Sequence, residues 1–395
     1  MMHAARPIRD RRPWPNARLV GAGLMLVPAA AFPVGAQVIL GGEGRVAIDT
    51  NPLLLSGKKN DAIITEITAN PEFKTESATG NTLDLAGVLI GRHYSRRYDD
   101  YVLGSVRATG TLRDSERLSV TASASYLRDL AGDAVATNID GLIAPQTVRN
   151  VWQGDATATW RPNARTMIVP TGSFEHASYE DSPLLQNTNS GRVEVALLHK
   201  TTAHTWVGVR PVLTTSQGGG QPSLIRSAVF ATIKQTLTAF WTFSADAGVE
   251  HVDGTRPVPG FASAGRQRTA PSGSLDVCRT TERTNACLTA SLGSDVSALF
   301  GFQRRKAVGA RVTRQLDERR TVTAAVDYQR FTAPEGLLRA RELDAASARL
   351  DLEWRLNRTL TLAGELQYRR RAIGIGETPE AGYAGIRLRL RPRLP

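Results

Sequence analysis

The 395-residue chain carries 49 Lys and Arg against 37 Asp and Glu, a formal net charge of +12. No basic run is interleaved with aromatic residues as a base-stacking platform requires, which argues against nucleic acid as a partner. Beyond the first 36 residues no uninterrupted apolar stretch reaches the 18 residues of a spanning helix, and two cysteines with no histidine near them make a poor zinc site.

The N-terminus reads as a cleaved secretory signal peptide over residues 1–36. Arg6, Arg9, Arg11, Arg12 and Arg18 form its basic region, Leu19 to Val34 is uncharged, and Val34-Gly35-Ala36 supplies small residues before Gln37. The uncharged run, with prolines at 28 and 33, is short for a membrane anchor. Export leaves residues 37–395 as one domain that keeps +8 of the +12, since the leader holds five arginines and Asp10. A basic exported protein suits acidic partners such as lipopolysaccharide or an anionic polysaccharide.

Down the chain, one pattern repeats. A first strand is expected near Gly44, in GRVAIDTNPLLL (44–55), and two more flank a short turn in 71–101. RLSVTASASYLR sets Leu118, Val120, Ala122, Ala124 and Tyr126 against serines and threonines, and WTFSADAGVE sets Trp241, Phe243, Ala245, Ala247 and Val249 against Thr242, Ser244, Asp246 and Glu250. Cys278 and Cys287, nine apart in CRTTERTNAC, are expected to form a disulfide across a turn in an oxidising compartment. TVTAAVDYQ, RLDLEWRL and TLTLAGELQYRR alternate in the same way. Ten-residue dyad-alternating segments separated by turns are the signature of a transmembrane antiparallel β-barrel. The connections support this: 112–117, 160–165, 200–205, 315–320 and 355–359 are tight, whereas 129–148, 180–190, 252–266 and 332–342 are long and rich in Gly, Pro, Asn or acid. Short periplasmic turns and long outer loops give about 16 strands, or 18 if the cysteine segment turns one further hairpin. Tyr126, Trp152, Trp160, Trp206, Trp241, Tyr328, Trp354 and Tyr368 fall near strand ends, where aromatic girdles lie.

The stretches 44–55 and PEFKTESATGNTLDLAGVLIGRHYSRRYDDY (71–101) resemble the outer-membrane β-barrel proteins found with exopolysaccharide and exosortase gene clusters in Gram-negative bacteria. The resemblance implies a porin-like barrel linked to polysaccharide export or surface assembly, inserted by the barrel-assembly machinery among outer-membrane lipid and lipopolysaccharide. The last strand fits in part. Tyr383, Gly385, Leu388 and Leu390 match the terminal assembly pattern, but the chain runs on through Arg391 without a closing aromatic.

Alternation turns Arg107, Arg192, Arg311, Arg349, Arg355, Arg369, Arg387 and Arg389 into the lumen, against Asp84, Asp155, Glu194, Asp246, Asp327, Asp351, Glu353 and Glu365. Arg349, Arg355, Arg369, Arg387 and Arg389 crowd the last three strands and form a candidate basic strip for anions; the acids are placed to neutralise it. No catalytic motif is present. Glu175, His176 and Asp181 lie close but lack a nucleophile, so no enzyme, cofactor or metal role is expected. The leading expectation is a channel for small solutes or polysaccharide; the alternative is a non-conducting structural barrel that anchors or displays.

Overall fold

In TLTLAGELQYRR, side chains at odd and even positions must face opposite sides of a sheet. Leu366 is 55% exposed while its neighbour Glu365 is 5% exposed. The sheet therefore turns its oil outward and its charge inward, the reverse of a soluble core. The computed structural model describes residues 36–392, apart from 56–59, 97, 135–138, 181, 183–184, 219–222, 254–267, 299–300, 333–341 and 374–377. The leader thus lies outside the described residues except for Ala36.

The described residues form 18 strands. The first six are β1 (Gln37–Asp49), β2 (Ala62–Glu76), β3 (Thr82–Tyr94), β4 (Tyr101–Arg113), β5 (Leu118–Leu130) and β6 (Val148–Asn163). Next come β7 (Thr166–Tyr179), β8 (Thr188–Thr202), β9 (Thr205–Gly218), β10 (Leu224–Thr236), β11 (Trp241–Asp253) and β12 (Arg268–Thr280). The last six are β13 (Thr284–Ser297), β14 (Gly301–Gln315), β15 (Arg320–Thr332), β16 (Glu342–Arg355), β17 (Leu360–Ile373) and β18 (Glu380–Leu390). Each pairs antiparallel with its neighbours in sequence, and β18 closes onto β1, so the sheet is a barrel without a free edge. Among the described residues, a 3-10 turn (Ala131–Ala134) and one short α-helix, α1 (Ile139–Ile143), sit between β5 and β6.

The cysteine segment does turn the extra hairpin that brings the count to 18. β1 starts at Gln37 rather than near Gly44; Gly41, Gly42 and Gly44 offer no side chains and so hide the alternation there. The turn end carries eight connections of two to five residues, and both chain ends emerge beside them. Asx turns fix several. Asn357 Oδ1 accepts from the Thr359 and Leu360 amides, both at 2.8 Å. The Arg319 amide, then the Arg320 guanidinium, hold the Asp317 carboxyl below its ordinary value. At the opposite end the connections are not uniformly long: 298–300 separates β13 from β14 by only three residues.

Outward residues include Ile67 at 73% and Ile386 at 65% exposure. Trp160, Trp241 and Trp354 ring the belt near the turns, and Trp152, Tyr328 and Tyr368 ring it near the loops. Tyr126 packs on Trp152 with ring centroids 4.6 Å apart. Trp152 and Trp160 lie eight residues apart on β6, about 26 Å along the strand at about 3.3 Å per residue. That is about 20 Å along an axis tilted by about 40°, close to the apolar band of such barrels. Trp206 does not join the girdle: Val207, Val209 and Leu213 take the outer face of β9, so Trp206 faces inward, beside Lys200. A charge placed on this belt exposes its contact with lipid. Leu366→Arg, near mid-belt, is expected to destabilise the barrel by about 2–4 kcal/mol. Gln367→Arg, one residue on and facing the lumen, is expected to cost far less; urea unfolding in lipid compares the two.

Candidate functional site

Pairing across strands decides what the inward arginines do. On the wall formed by β16, β17, β18, β1, β2 and β3 they join acids in a continuous ladder. Arg389 bonds Glu43 at 2.9 Å and Arg387 bonds Glu353 at 3.2 Å. Arg349 bonds Asp351 at 2.7 Å and Glu365 at 3.1 Å. Arg45 links Glu365 at 3.5 Å to Glu66 at 2.5 Å; Arg92 then links Glu66 at 2.5 Å to Asp133 at 2.9 Å. Arg369 is bonded to the buried Asp49.

Four of the five candidate strip residues, Arg349, Arg369, Arg387 and Arg389, are therefore paired with acids. The strip is a striped wall and not a field of free positive charge. Arg355, at the turn end of β16, has no acid within ion-pair distance among the described residues. The same holds of Arg107, which donates to Ser123, and of Arg311. Asp84, Asp276 and Asp327 offset these, again without cationic partners among the described residues.

The opposite wall holds a second cluster that alternation alone does not single out. Arg210 bridges Glu194 and Asp246, at 2.9 Å each, and its guanidinium lies 4.7 Å from the Phe230 ring. Arg226 and Arg304 share Glu250, at 2.8 and 2.5 Å. Arg192, Arg210, Arg226 and Arg305 line a cavity of about 270 Å³ with Phe230 and Ser274. Arg226 escapes sequence reading because both faces of LIRSAVFATI are largely apolar; the only signal is one charge at Leu224's parity.

Segments at the loop end narrow the lumen. Among the described residues of the β5–β6 connection, α1 lies inside the barrel against β17. Asp140 of α1 is 3% exposed. It accepts from the Tyr179 hydroxyl at 2.6 Å, the Ser297 hydroxyl at 3.1 Å and the Ala298 amide at 3.0 Å. Burial pushes its carboxyl above the ordinary value, against the pull of those three donors. The connection is thereby tied to β7 and to the β13–β14 tip at once. The β1–β2 connection also folds inward. Leu53 packs with Leu103 and Leu130, and Leu54 presents its carbonyl to Arg371 at 2.8 Å.

Cys278 and Cys287 face each other across the β12–β13 turn and are joined by a disulfide, with a Cα–Cα distance of 4.1 Å. The ladder already holds this hairpin. Replacing both by serine is expected to keep the fold and to lower stability by at most about 3 kcal/mol, the entropy of closing a ten-residue loop, as read from the urea midpoint. Glu175 and His176 do not converge: Glu175 faces the lumen, whereas His176 faces outward and bonds Asn189 at 2.6 Å. Asp181 lies outside the described residues.

Among solved structures, this fold is similar to OccAB2 of Acinetobacter baumannii, with a TM-score of 0.51, 9% identity and coverage of 92% of this chain and 100% of that one. It is equally similar to a BenF-like porin from Pseudomonas fluorescens Pf-5, with a TM-score of 0.51, 11% identity and coverage of 92% and 100%. At these identities the likeness is one of fold. No family model matches the sequence, and no curated protein matches it. The closed barrel, apolar belt and aromatic girdles are those of the bacterial outer membrane, and the architecture is that of a porin.

Proposed function

We propose that this protein is a constricted, porin-like channel for small polar and charged solutes. One observation carries the reading: the β5–β6 connection is fastened across the lumen through Asp140, to Tyr179 on one side and to Ser297 and Ala298 on the other. A bar of this kind is expected to pass single small solutes and to oppose an extended polymer. Rungs of Arg and acid on one wall and an arginine-lined cavity on the other favour solutes that carry an acidic group. The link to exopolysaccharide assembly, drawn from residues 44–55 and 71–101, enters this proposal as passage of sugar units or small organic acids to or from the surface. On this reading lipid and lipopolysaccharide meet the outer belt, and the barrel-assembly machinery inserts the chain.

Liposome swelling tests it. Vesicles holding the refolded protein are expected to swell with monosaccharides and small carboxylates and to exclude oligosaccharides. Equal rates across the size series would contradict the constriction. No swelling from folded protein would favour a non-conducting structural barrel.

A further inference from the structure

Both rims of the barrel carry outward arginines, and the two rims treat them differently. At the loop end they stand with outward acids. Arg128 bonds Glu180 at 3.0 Å, Arg330 bonds Asp344 at 2.8 Å, and Arg370 shares a rung with Glu380. At the turn end, parity turns three arginines outward on one arc of the wall. Arg279 follows Leu275 and Val277 on β12, Arg314 follows Val308 and Val312 on β14, and Arg320 precedes Val322 and Val326 on β15. Further round the same rim the outward positions are apolar: Leu390 on β18, Val38 on β1 and Leu112 on β4 are all exposed.

Two girdle residues bound this patch. Trp241 shares a rung with Arg279, and Trp354 shares one with Arg320. The Arg279 guanidinium lies 5.9 Å from the centre of the Trp241 ring, which keeps the charge at the membrane interface. Arg320 donates to Asp317 at 2.6 Å. Arg279 and Arg314 have no acid within ion-pair distance among the described residues. Arg279 shares its rung with Ala286, and Ala286 with Val312, two residues short of Arg314. At about 4.8 Å between strands and about 3.3 Å per residue, the two arginine Cα atoms are about 12 Å apart. Two long side chains and one lipid headgroup span that distance. Further into the belt, a cavity of about 570 Å³ opens on the outer face of the same strands, lined by Leu275, Ala290, Leu292, Val308 and Tyr328. Ala290 lies four residues along β13 from Ala286, about 13 Å at that rise. An acyl chain whose headgroup sits at the arginines reaches it.

We propose that the outer wall of β12–β15 binds one anionic phospholipid of the periplasmic leaflet, its phosphate drawn to Arg279 and Arg314 and one acyl chain seated in the hollow above them. Guanidinium groups suit phosphate oxygens, and basic side chains at a membrane surface attract anionic lipid. The apolar hollow selects a lipid over a soluble anion. The site faces away from the lumen and does not rest on solute passage.

The test is native mass spectrometry of the refolded full chain in detergent, titrated with dioleoylphosphatidylglycerol or with dioleoylphosphatidylcholine. The unaltered protein is expected to retain one phosphatidylglycerol and to hold phosphatidylcholine far more weakly. Arg279→Gln with Arg314→Gln is expected to weaken the phosphatidylglycerol complex by more than about 10-fold, given the attraction that each basic side chain adds beside anionic lipid. Arg319→Gln with Arg358→Gln removes as much charge from the turns themselves and is expected to leave the complex unchanged. Ala290→Trp fills the hollow, keeps every arginine and is expected to weaken the complex several-fold. Equal retention of the two lipids by the unaltered protein would overturn the proposal, as would phosphatidylglycerol held undiminished by the Arg279 and Arg314 variant or by Ala290→Trp. Glycerol phosphate binding as tightly as the lipid would give the arginines to soluble anions and overturn it as well. Conductance read on the same samples keeps the two questions apart: a silent barrel that retains the anionic lipid refutes the channel and spares the site.

Discussion

Asp140→Ala is expected to raise single-channel conductance several-fold while leaving the barrel folded. The carboxyl is the shared acceptor of the Tyr179 hydroxyl, the Ser297 hydroxyl and the Ala298 amide, all within 3.1 Å and out of water. Losing a buried acceptor costs about 1–3 kcal/mol for a donor left behind, and here three donors lose the same one. The 18-strand ladder does not pass through Asp140, so the penalty falls on the crossing segment, which swings aside. Asp140→Asn keeps an acceptor oxygen and is expected to lie between the two. Unchanged conductance in Asp140→Ala would mean that the packing around Leu130 and Ala131 alone holds the bar.

The second large effect is expected at Glu66. Its two oxygens each meet a guanidinium at 2.5 Å, Arg45 on one side and Arg92 on the other, and the residue is 5% exposed. Removing one partner of a buried pair costs about 3–5 kcal/mol, chiefly because the remaining charge stays buried. Glu66→Ala is therefore expected to lower the urea midpoint markedly. The lumen also gains one positive charge at mid-ladder, so the reversal potential in a salt gradient should move toward anion selectivity. Arg45 retains Glu365 at 3.5 Å and Arg92 retains Asp133 at 2.9 Å, which sets the loss at the lower part of that range. A loss below about 1 kcal/mol would show that water already screens this rung, as it does at exposed pairs.

The wall of this protein was legible in its sequence because a barrel strand has one period and two solvents. Leu362, Leu366 and Tyr368 against Thr361, Glu365 and Gln367 is enough to assign both faces. The paired cysteines marked the hairpin that fixes the strand count. Where side chains are missing, as at Gly41, Gly42 and Gly44, the period disappears, and alternation alone places the start of the first strand too late. Trp206 shows the limit of composition: an aromatic near a strand end meets lipid only if its parity is outward.

The interior was far less legible. Arg45 and Glu365 are 320 positions apart and meet only because β18 closes on β1. Alternation says which side a charge faces and nothing about which rung it shares. The constriction was hidden for a different reason. Asp140 stands in a polar connection that reads as a surface loop, and its inward course is set by Tyr179 and by a tip more than 150 residues later.

The central claim is an outer-membrane barrel whose lumen is open but barred. The measurement that bears on it most directly is single-channel conductance of the refolded protein in a planar bilayer, with reversal potential in a salt gradient. Small, steady openings with at most a modest anion preference are the predicted result. Silence from folded protein, or openings as wide as an unobstructed 18-strand barrel, would contradict it.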